Sequence, residues 1–431
     1  MDTLSHVGRG ILGLAAFIAI AALFSSNRRA IPWRLVLVGT LLQFIFGVLV
    51  LRVDAVRVGV DAVGTFFIRI LDFNEAGARF LFGNLLDASQ SWGFIFAFKV
   101  LPTIIFFSAL TSLLFYLGIL QRVVFAFAWV MTRTMKLSGA ESLSASANIF
   151  LGQTEAPLLI KPYLANLTRS ELLAVMTGGM ATIAGAVMVA YIGMLGGDDP
   201  ASRLLFAKHL LTASVMSAPA ALLMSKILEP QTQQIDSNLT VPHAKIGSNV
   251  LEAITNGTTD GMRLAVNVAA MLLVFTAMVA FLNWILSAGF GGWTGLNALI
   301  LDSTGGRFTE FSLQYILGLL CAPVAWLMGI DQQLMIAGQI IGEKTVLNEF
   351  YAYGTLAQMK TAGTLTDPRT QIILTYALCG FSNIASVGIQ VGGIGALAPN
   401  QRTTLAQLGL KSLLGGSLAC FMTACVASML I

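Results

Sequence analysis

Long apolar runs recur along this chain, and polar residues gather between them. The runs fall near 10–25, 35–51, 93–118, 170–195, 203–227, 263–287, 368–396 and 404–430. Each comes close to or exceeds the roughly 20 apolar residues a bilayer-crossing helix needs. Eight transmembrane helices are predicted from them. Two further stretches, 141–164 and 331–356, have the length of a span but carry polar residues near their middle. In lipid, polar side chains and non-helical backbone must face protein or a water-filled cavity. Re-entrant hairpins with their polar tips near mid-membrane meet that requirement.

Three segments mix charge with apolar residues. Residues 52–90, which include "VGTFFIRILDF", read as an amphipathic helix on the outer membrane surface. Residues 120–136 read similarly on the inner side, and so do 309–329, although they are apolar enough to be a span, which would flip the side of everything after them. Arg28, Arg29, Arg34, Arg122, Arg133, Lys136, Lys161 and Arg169 lie in short connections that share one side in this layout. Loops rich in Lys and Arg are cytoplasmic, so both termini are predicted outside. The longest polar connection, 228–250, is then cytoplasmic; its triplet Asn238-Leu239-Thr240 is on the wrong side for glycosylation. The first apolar run is followed by no small-residue cleavage site, so it is a retained span rather than a signal peptide.

The polar interruptions repeat. "AFAWVM" (126–131) precedes the first hairpin and "APVAWLM" (322–328) the second. After each hairpin comes a span with a polar break, then a plain one. The hairpins enter from opposite sides, so the repeat is inverted, which is the signature of a secondary transporter whose site forms where the breaks meet. The organisation this predicts is an all-α polytopic membrane protein. Scaffold helices occupy 1–118, the first transport repeat 119–227, a loop with a further scaffold helix 228–308, and the second transport repeat 309–431.

Composition agrees with that class. Of 431 residues, 56% are hydrophobic and 11% charged, and mean hydropathy is +0.80. A net charge of +4 is too small to point to nucleic acid. The four cysteines lie in apolar stretches without metal-ligand spacing.

The chemistry lies in the interruptions. "NIFLGQTEAP" (148–157) offers Asn148, Gln153, Thr154 and Glu155, with Gly152 for the turn and Pro157 to start a returning half-helix. "GEKTVLNEF" (342–350) offers Glu343, Lys344, Thr345, Asn348 and Glu349. The broken spans carry Thr182 in "GGMATIAGAV" and Ser382, Asn383 and Ser386 in "CGFSNIASVGIQVGGIG". Single hydroxyls in membrane helices commonly bond the carbonyl one turn back. Asn383 could be glue between helices, and Glu343 and Lys344 could neutralise one another. Glu155 and Glu349 are harder to explain structurally, because a carboxylate in the bilayer costs about 2.5–3.5 kcal/mol on the lenient insertion scale. A channel would need a sustained polar stripe, which no span has. An intramembrane enzyme, the third reading, would need a nucleophile–base set; there are three histidines and no HExxH or GxSxG. No Walker motif points to ATP.

At "GQTEAPLLIKPYL" (152–164), "GGMATIAGAV" (178–187), "GEKTVLNEFYAY" (342–353) and "CGFSNIASVGIQVGGIG" (379–395), the sequence resembles the concentrative nucleoside transporter family. The resemblance implies sodium–nucleoside symport by an elevator motion in a homotrimer. The coupling ion is Na+ (H+ in some bacterial members), with no cofactor. It implies that Gln153 and Thr154 bond the nucleobase, with Glu155 close by, and that Val187 packs on the base. Glu349, Asn383 and Ser386 then take the ribose hydroxyls and Phe381 borders the pocket. For sodium it implies Asn148, Leu151, Thr182 and Ile183. Thr182 stands where some sodium-coupled members have Ser; the hydroxyl is kept. The expected cargo is a nucleoside such as uridine, and the expected location a bacterial inner membrane, because the extra N-terminal spans of animal members are absent. A carrier of another polar solute is the alternative.

Overall fold

The computed structural model describes residues 3–87, 95–236 and 247–431. The triplet at Asn238 lies outside them. The described residues are helical, without a β-strand.

The helices run α1 (Thr3–Leu23), α2 (Trp33–Arg52), α3 (Asp54–Phe82), α4 (Phe96–Lys99), α5 (Leu101–Tyr116) and α6 (Ile119–Met135). Then come α7 (Gly139–Ala147), α8 (Ala156–Leu159), α9 (Lys161–Leu164), α10 (Arg169–Ala181), α11 (Gly185–Gly196) and α12 (Pro200–Leu228). The second half holds α13 (Val250–Trp284), α14 (Gly292–Thr294), α15 (Leu296–Ser303), α16 (Leu313–Leu327), α17 (Leu334–Val346), α18 (Glu349–Thr361), α19 (Pro368–Leu378), α20 (Ile384–Leu397) and α21 (Arg402–Leu430).

Helices long and apolar enough to cross a membrane occur where expected, from α1 through α21. The runs 170–195 and 368–396, read as broken spans, are each two helices, α10 with α11 and α19 with α20, with the chain unwound between them. Two boundaries differ from the sequence reading. α13 begins at Val250, not near 263, since the Asn249 side chain accepts from the Glu252 amide at 2.9 Å and so starts a helix through the polar residues before the apolar run. The second hairpin returns as far as Thr361 rather than 356.

Caps set the entering helix of the first hairpin and the returning helix of the second. Ser138 and Glu141 form a reciprocal capping box at the start of α7. Asn348 caps α18, accepting from the Tyr351 amide at 2.8 Å. Thr168 and Glu171 make a second capping box under α10.

Burial sorts the helices. Residues 170–192 of α10 and α11 are wholly buried, as is most of α12 and of the second half of α21, whereas α13 leaves Val266, Leu273 and Phe281 exposed. α10 packs on α12 and α21, and α20 also packs on α21. α13 packs along α5, and α2 along α12. The first interruption lies inside the buried pair α10 and α11, the second between buried α19 and partly exposed α20, and α5 and α13 pair as a wall that meets the bundle at α11.

Candidate functional site

The two helix breaks meet inside the buried bundle. α10 ends at Ala181, and Thr182 and Ala184 are extended before α11 begins at Gly185. α19 ends at Leu378, and Cys379 to Asn383 are non-helical. Gly380 has φ +152° and lies so near that a Cβ would come within 2.6 Å of the Met180 carbonyl oxygen. Only glycine fits both the backbone and the space. The Cys420 sulfur of α21 lies 3.6 Å from the Ala181 carbonyl oxygen and 2.9 Å from that of Cys379. One side chain thus reaches the carbonyl ends of both broken helices.

The hairpin tips close over these breaks. The first tip is pinned by the Gly185 amide, which donates to the Phe150 carbonyl at 2.9 Å, and by the Ser214 hydroxyl, which donates to the Ile149 carbonyl at 2.9 Å. Gly179 permits the approach, since a Cβ there would lie 2.8 Å from that of Gln153.

A continuous polar chain then crosses from one repeat to the other. Gln153 Nε2 donates to Ser386 Oγ at 3.1 Å. The Ser386 amide donates to Asn383 Oδ1 at 2.9 Å, which caps α20. Asn383 Nδ2 donates to Glu349 Oε2 at 2.9 Å, and the Tyr191 hydroxyl donates to Glu349 Oε1 at 3.3 Å. All five side chains are buried. Glu349 is also the first residue of α18, where the helix dipole favours a negative charge. The Tyr191 ring stacks on Tyr353 with centroids 4.1 Å apart, which fixes where its hydroxyl points.

The structure thus brings Gln153, Glu349, Asn383 and Ser386 together. Thr154 is exposed and lies against Gly393 of α20, whose Cβ would be 3.2 Å from the Thr154 methyl. Phe381 is half-buried within the second break, and Val187 is buried on α11. Glu155 points elsewhere: its Oε2 accepts from the Gly152 amide at 3.0 Å. It lines a cavity of about 370 Å³ with Leu151 and Ala184, facing Ser108 and Thr111 of α5 and Asp260 of α13. Glu343 and Lys344 do not pair with one another. Glu343 accepts from Gln339 at 2.8 Å, while the Lys344 ammonium donates to the Ala377 carbonyl at 3.0 Å, near the end of α19.

The residues expected at an ion lie around the first break. The Asn148 amide nitrogen donates to the Ser144 carbonyl at 3.0 Å, which leaves Oδ1 buried and without a partner among the described residues. Thr182 donates to the Gly178 carbonyl at 2.8 Å. Leu151 and Ile183 are buried in the non-helical tip and break. A free amide oxygen beside unwound backbone is a donor set suited to a hard cation.

Two members of the site were not singled out from the sequence. Tyr191 is the one hydroxyl in the apolar run of α11. Gln390 donates to the Met176 carbonyl at 3.0 Å and joins α20 to α10. The signal for Gln390 was its helical spacing from Asn383 and Ser386, which puts all three on one face.

Paired helix breaks, each covered by a hairpin tip and joined by one polar network, define a secondary transporter. Residues 12–85 match the family described as Na+ dependent nucleoside transporter N-terminus, residues 97–198 match Nucleoside recognition, and residues 209–428 match Na+ dependent nucleoside transporter C-terminus. The chain belongs to this family, the concentrative nucleoside transporters. It is 43% identical over 427 residues to an uncharacterized transporter of Haemophilus influenzae, covering 98% of this chain and 97% of that protein. It is 39% identical to sodium/nucleoside cotransporter 1 of Rattus norvegicus over 97% of this chain, but spans 63% of that longer protein. The solved structure of CNTnw in an inward-facing substrate-bound state superposes with a TM-score of 0.89 at 36% identity, covering 100% of this chain and 98% of that one. A CNTnw variant in an outward-facing state gives 0.90 at 35% identity. These relatives are transporters, not enzymes.

Proposed function

We propose that the chain carries nucleosides into the cell by sodium-coupled alternating access. The observation that supports it most is the network from Gln153 through Ser386 and Asn383 to Glu349 and Tyr191. It has two chemically different ends, and so has a nucleoside. An amide can donate and accept at a base edge. A carboxylate accepts strongly from sugar hydroxyls. Gln153 and Thr154 serve the base, with Val187 against its face, while Glu155 stays on the wall of the separate cavity; Glu349, Asn383 and Ser386 serve the ribose, with Phe381 at the border. The substrate enters by replacing the direct Gln153–Ser386 bond.

Sodium is held by the Asn148 side chain, the Thr182 hydroxyl and the carbonyls of Leu151, Thr182 and Ile183. It braces the first tip and so organises Gln153 for the base. The buried bundle of the two repeats (119–227 and 309–431) is the moving body of an elevator, and the wall of α5 and α13 is its fixed guide. The exposed apolar face of α13 supports a homotrimer in the bilayer. The protein sits in a bacterial inner membrane with both termini outside.

Uptake of labelled uridine into proteoliposomes, with sodium and pH gradients imposed separately, tests the reading. Uptake should follow the sodium gradient, and unlabelled uridine should compete where free uracil and ribose do not. Equal competition by uracil would sink the two-ended site. Accumulation driven by the pH gradient alone would make the carrier proton-coupled.

A further inference from the structure

A second cavity of about 370 Å³ lies away from the breaks, between the first turns of α2, the end of α6 and the feet of α7 and α12. Leu35, Val38, Met135 and Leu137 give it apolar walls. Its floor is a buried ion pair, Lys226 Nζ to Glu141 Oε2 at 2.6 Å, in which the two charges offset each other. Two further cations line it, Arg34 and Lys136, and among the described residues neither has a carboxylate within ion-pair distance. Lys136 closes α6 in the left-handed conformation, φ +53°, which takes its side chain out of the line of the helix. Gln233 and Gln234 add amide groups on the remaining side.

The lining therefore combines net positive charge with apolar walls. The apolar surface continues outward along α2, where Trp33, Leu37 and Leu41 are each at least half exposed. Trp at such a position marks the level of lipid headgroups. Basic pockets between membrane helices suit anionic headgroups. We propose that this cavity binds the phosphate headgroup of an anionic phospholipid, with Arg34 and Lys136 on the phosphate and the acyl chains laid along Trp33, Leu37 and Leu41. A soluble phosphate would gain nothing from that apolar continuation, so the lipid is the occupant the surface fits.

The ligand would touch α2 and α6 on one side and α7 and α12 on the other. It would thus bridge α2, outside the buried bundle, to the foot of the first hairpin. No part of this depends on the transported solute, and the test reads binding alone.

Native mass spectrometry of the full chain, released from detergent with phosphatidylglycerol or phosphatidylcholine, measures it. Phosphatidylglycerol should be retained over phosphatidylcholine. The double variant Arg34→Gln/Lys136→Gln should retain it on the order of tenfold less, as expected for losing two cations beside one phosphate. Arg122→Gln/Arg133→Gln removes the same charge from α6 outside the cavity and should retain it fully. Excess inorganic phosphate should leave the lipid in place. Equal retention of the two lipids, or an equal loss in the Arg122/Arg133 variant, would overturn the proposal. Displacement by inorganic phosphate would assign the cavity to a soluble anion instead.

Discussion

The amide nitrogen of Gln153 donates to the hydroxyl of Ser386 at 3.1 Å, across 233 residues of chain. It is a direct bond between a hairpin tip of the first repeat and a broken helix of the second. Both groups are those proposed to receive the substrate, one at the base and one at the sugar. Gln153→Ala and Ser386→Ala should each raise the uridine concentration for half-maximal uptake, by roughly fivefold for a neutral bond worth about 1 kcal/mol. The double variant should lose more than the sum of the single effects, because each single change also releases the direct bond that the substrate has to replace, and the double change releases it only once. Fully additive losses in binding calorimetry would mean that the substrate does not replace the direct bond.

Glu349 accepts from both Asn383 and Tyr191. Bonds to a charged group contribute about 1.5–3 kcal/mol. Glu349→Gln should therefore weaken ribonucleoside binding about tenfold to a hundredfold. Deoxynucleosides that lack the partnered hydroxyl should lose less. Tyr191→Phe, which removes one donor and keeps the ring stack, should cost about threefold to tenfold. An unchanged ratio of ribo- to deoxynucleoside affinity in Glu349→Gln would put the sugar elsewhere.

Asn148 Oδ1 is buried without a partner among the described residues. Asn148→Ala and Thr182→Val should each shift the sodium concentration for half-maximal nucleoside binding upward, with choline as the replacement ion. Coupling is reciprocal, so saturating nucleoside should tighten sodium by the factor that sodium tightens nucleoside. A flat sodium series in the unaltered protein would remove sodium from the mechanism.

Lys226 and Glu141 are paired where neither reaches solvent. Removing one partner strands a buried charge, at about 3–5 kcal/mol. Lys226→Met should therefore lower the thermal midpoint of the detergent-solubilised protein sharply. Lys226→Met/Glu141→Leu should recover much of the loss, since apolar replacement of both partners is often neutral. No recovery in the double variant would give Lys226 a role beyond the pair, such as its bond to Ser170 at 3.0 Å.

Gly380 meets the Met180 carbonyl where α19 unwinds. Gly380→Ala should abolish uptake or folding, whereas Gly388→Ala on the open face of α20, with nothing within 4 Å, should keep both. Normal uptake by Gly380→Ala would mean that the breaks can part without consequence.

Much of this arrangement was legible before any coordinates. The tips at Gln153 and Glu349 and the breaks at Thr182 and Asn383 stood out because each is polar against a long apolar background. A membrane sequence makes such departures conspicuous, since lipid penalises them. What periodicity does not carry is pairing. Tyr191 looks like a core aromatic until Glu349 is seen beside it. Lys226 lies at the end of an apolar helix and Glu141 in a capping box; nothing in either local pattern announces the other. The start of α13 was missed for the opposite reason. Its first turns are polar, and a capped polar helix is invisible to a search for apolar length.

Cys420 reaches the carbonyl ends of both broken helices, and Gly380 holds the two breaks against each other. If ion and solute each bind at one of these breaks, as proposed, their sites cannot separate or travel independently without tearing the bundle. Slippage, the passage of one without the other, is then opposed by rigidity at the breaks, and the freedom that remains lies in the hairpin tips. A leaky variant should accordingly arise at a tip, where ordering can fail locally, more readily than at the joint beneath it.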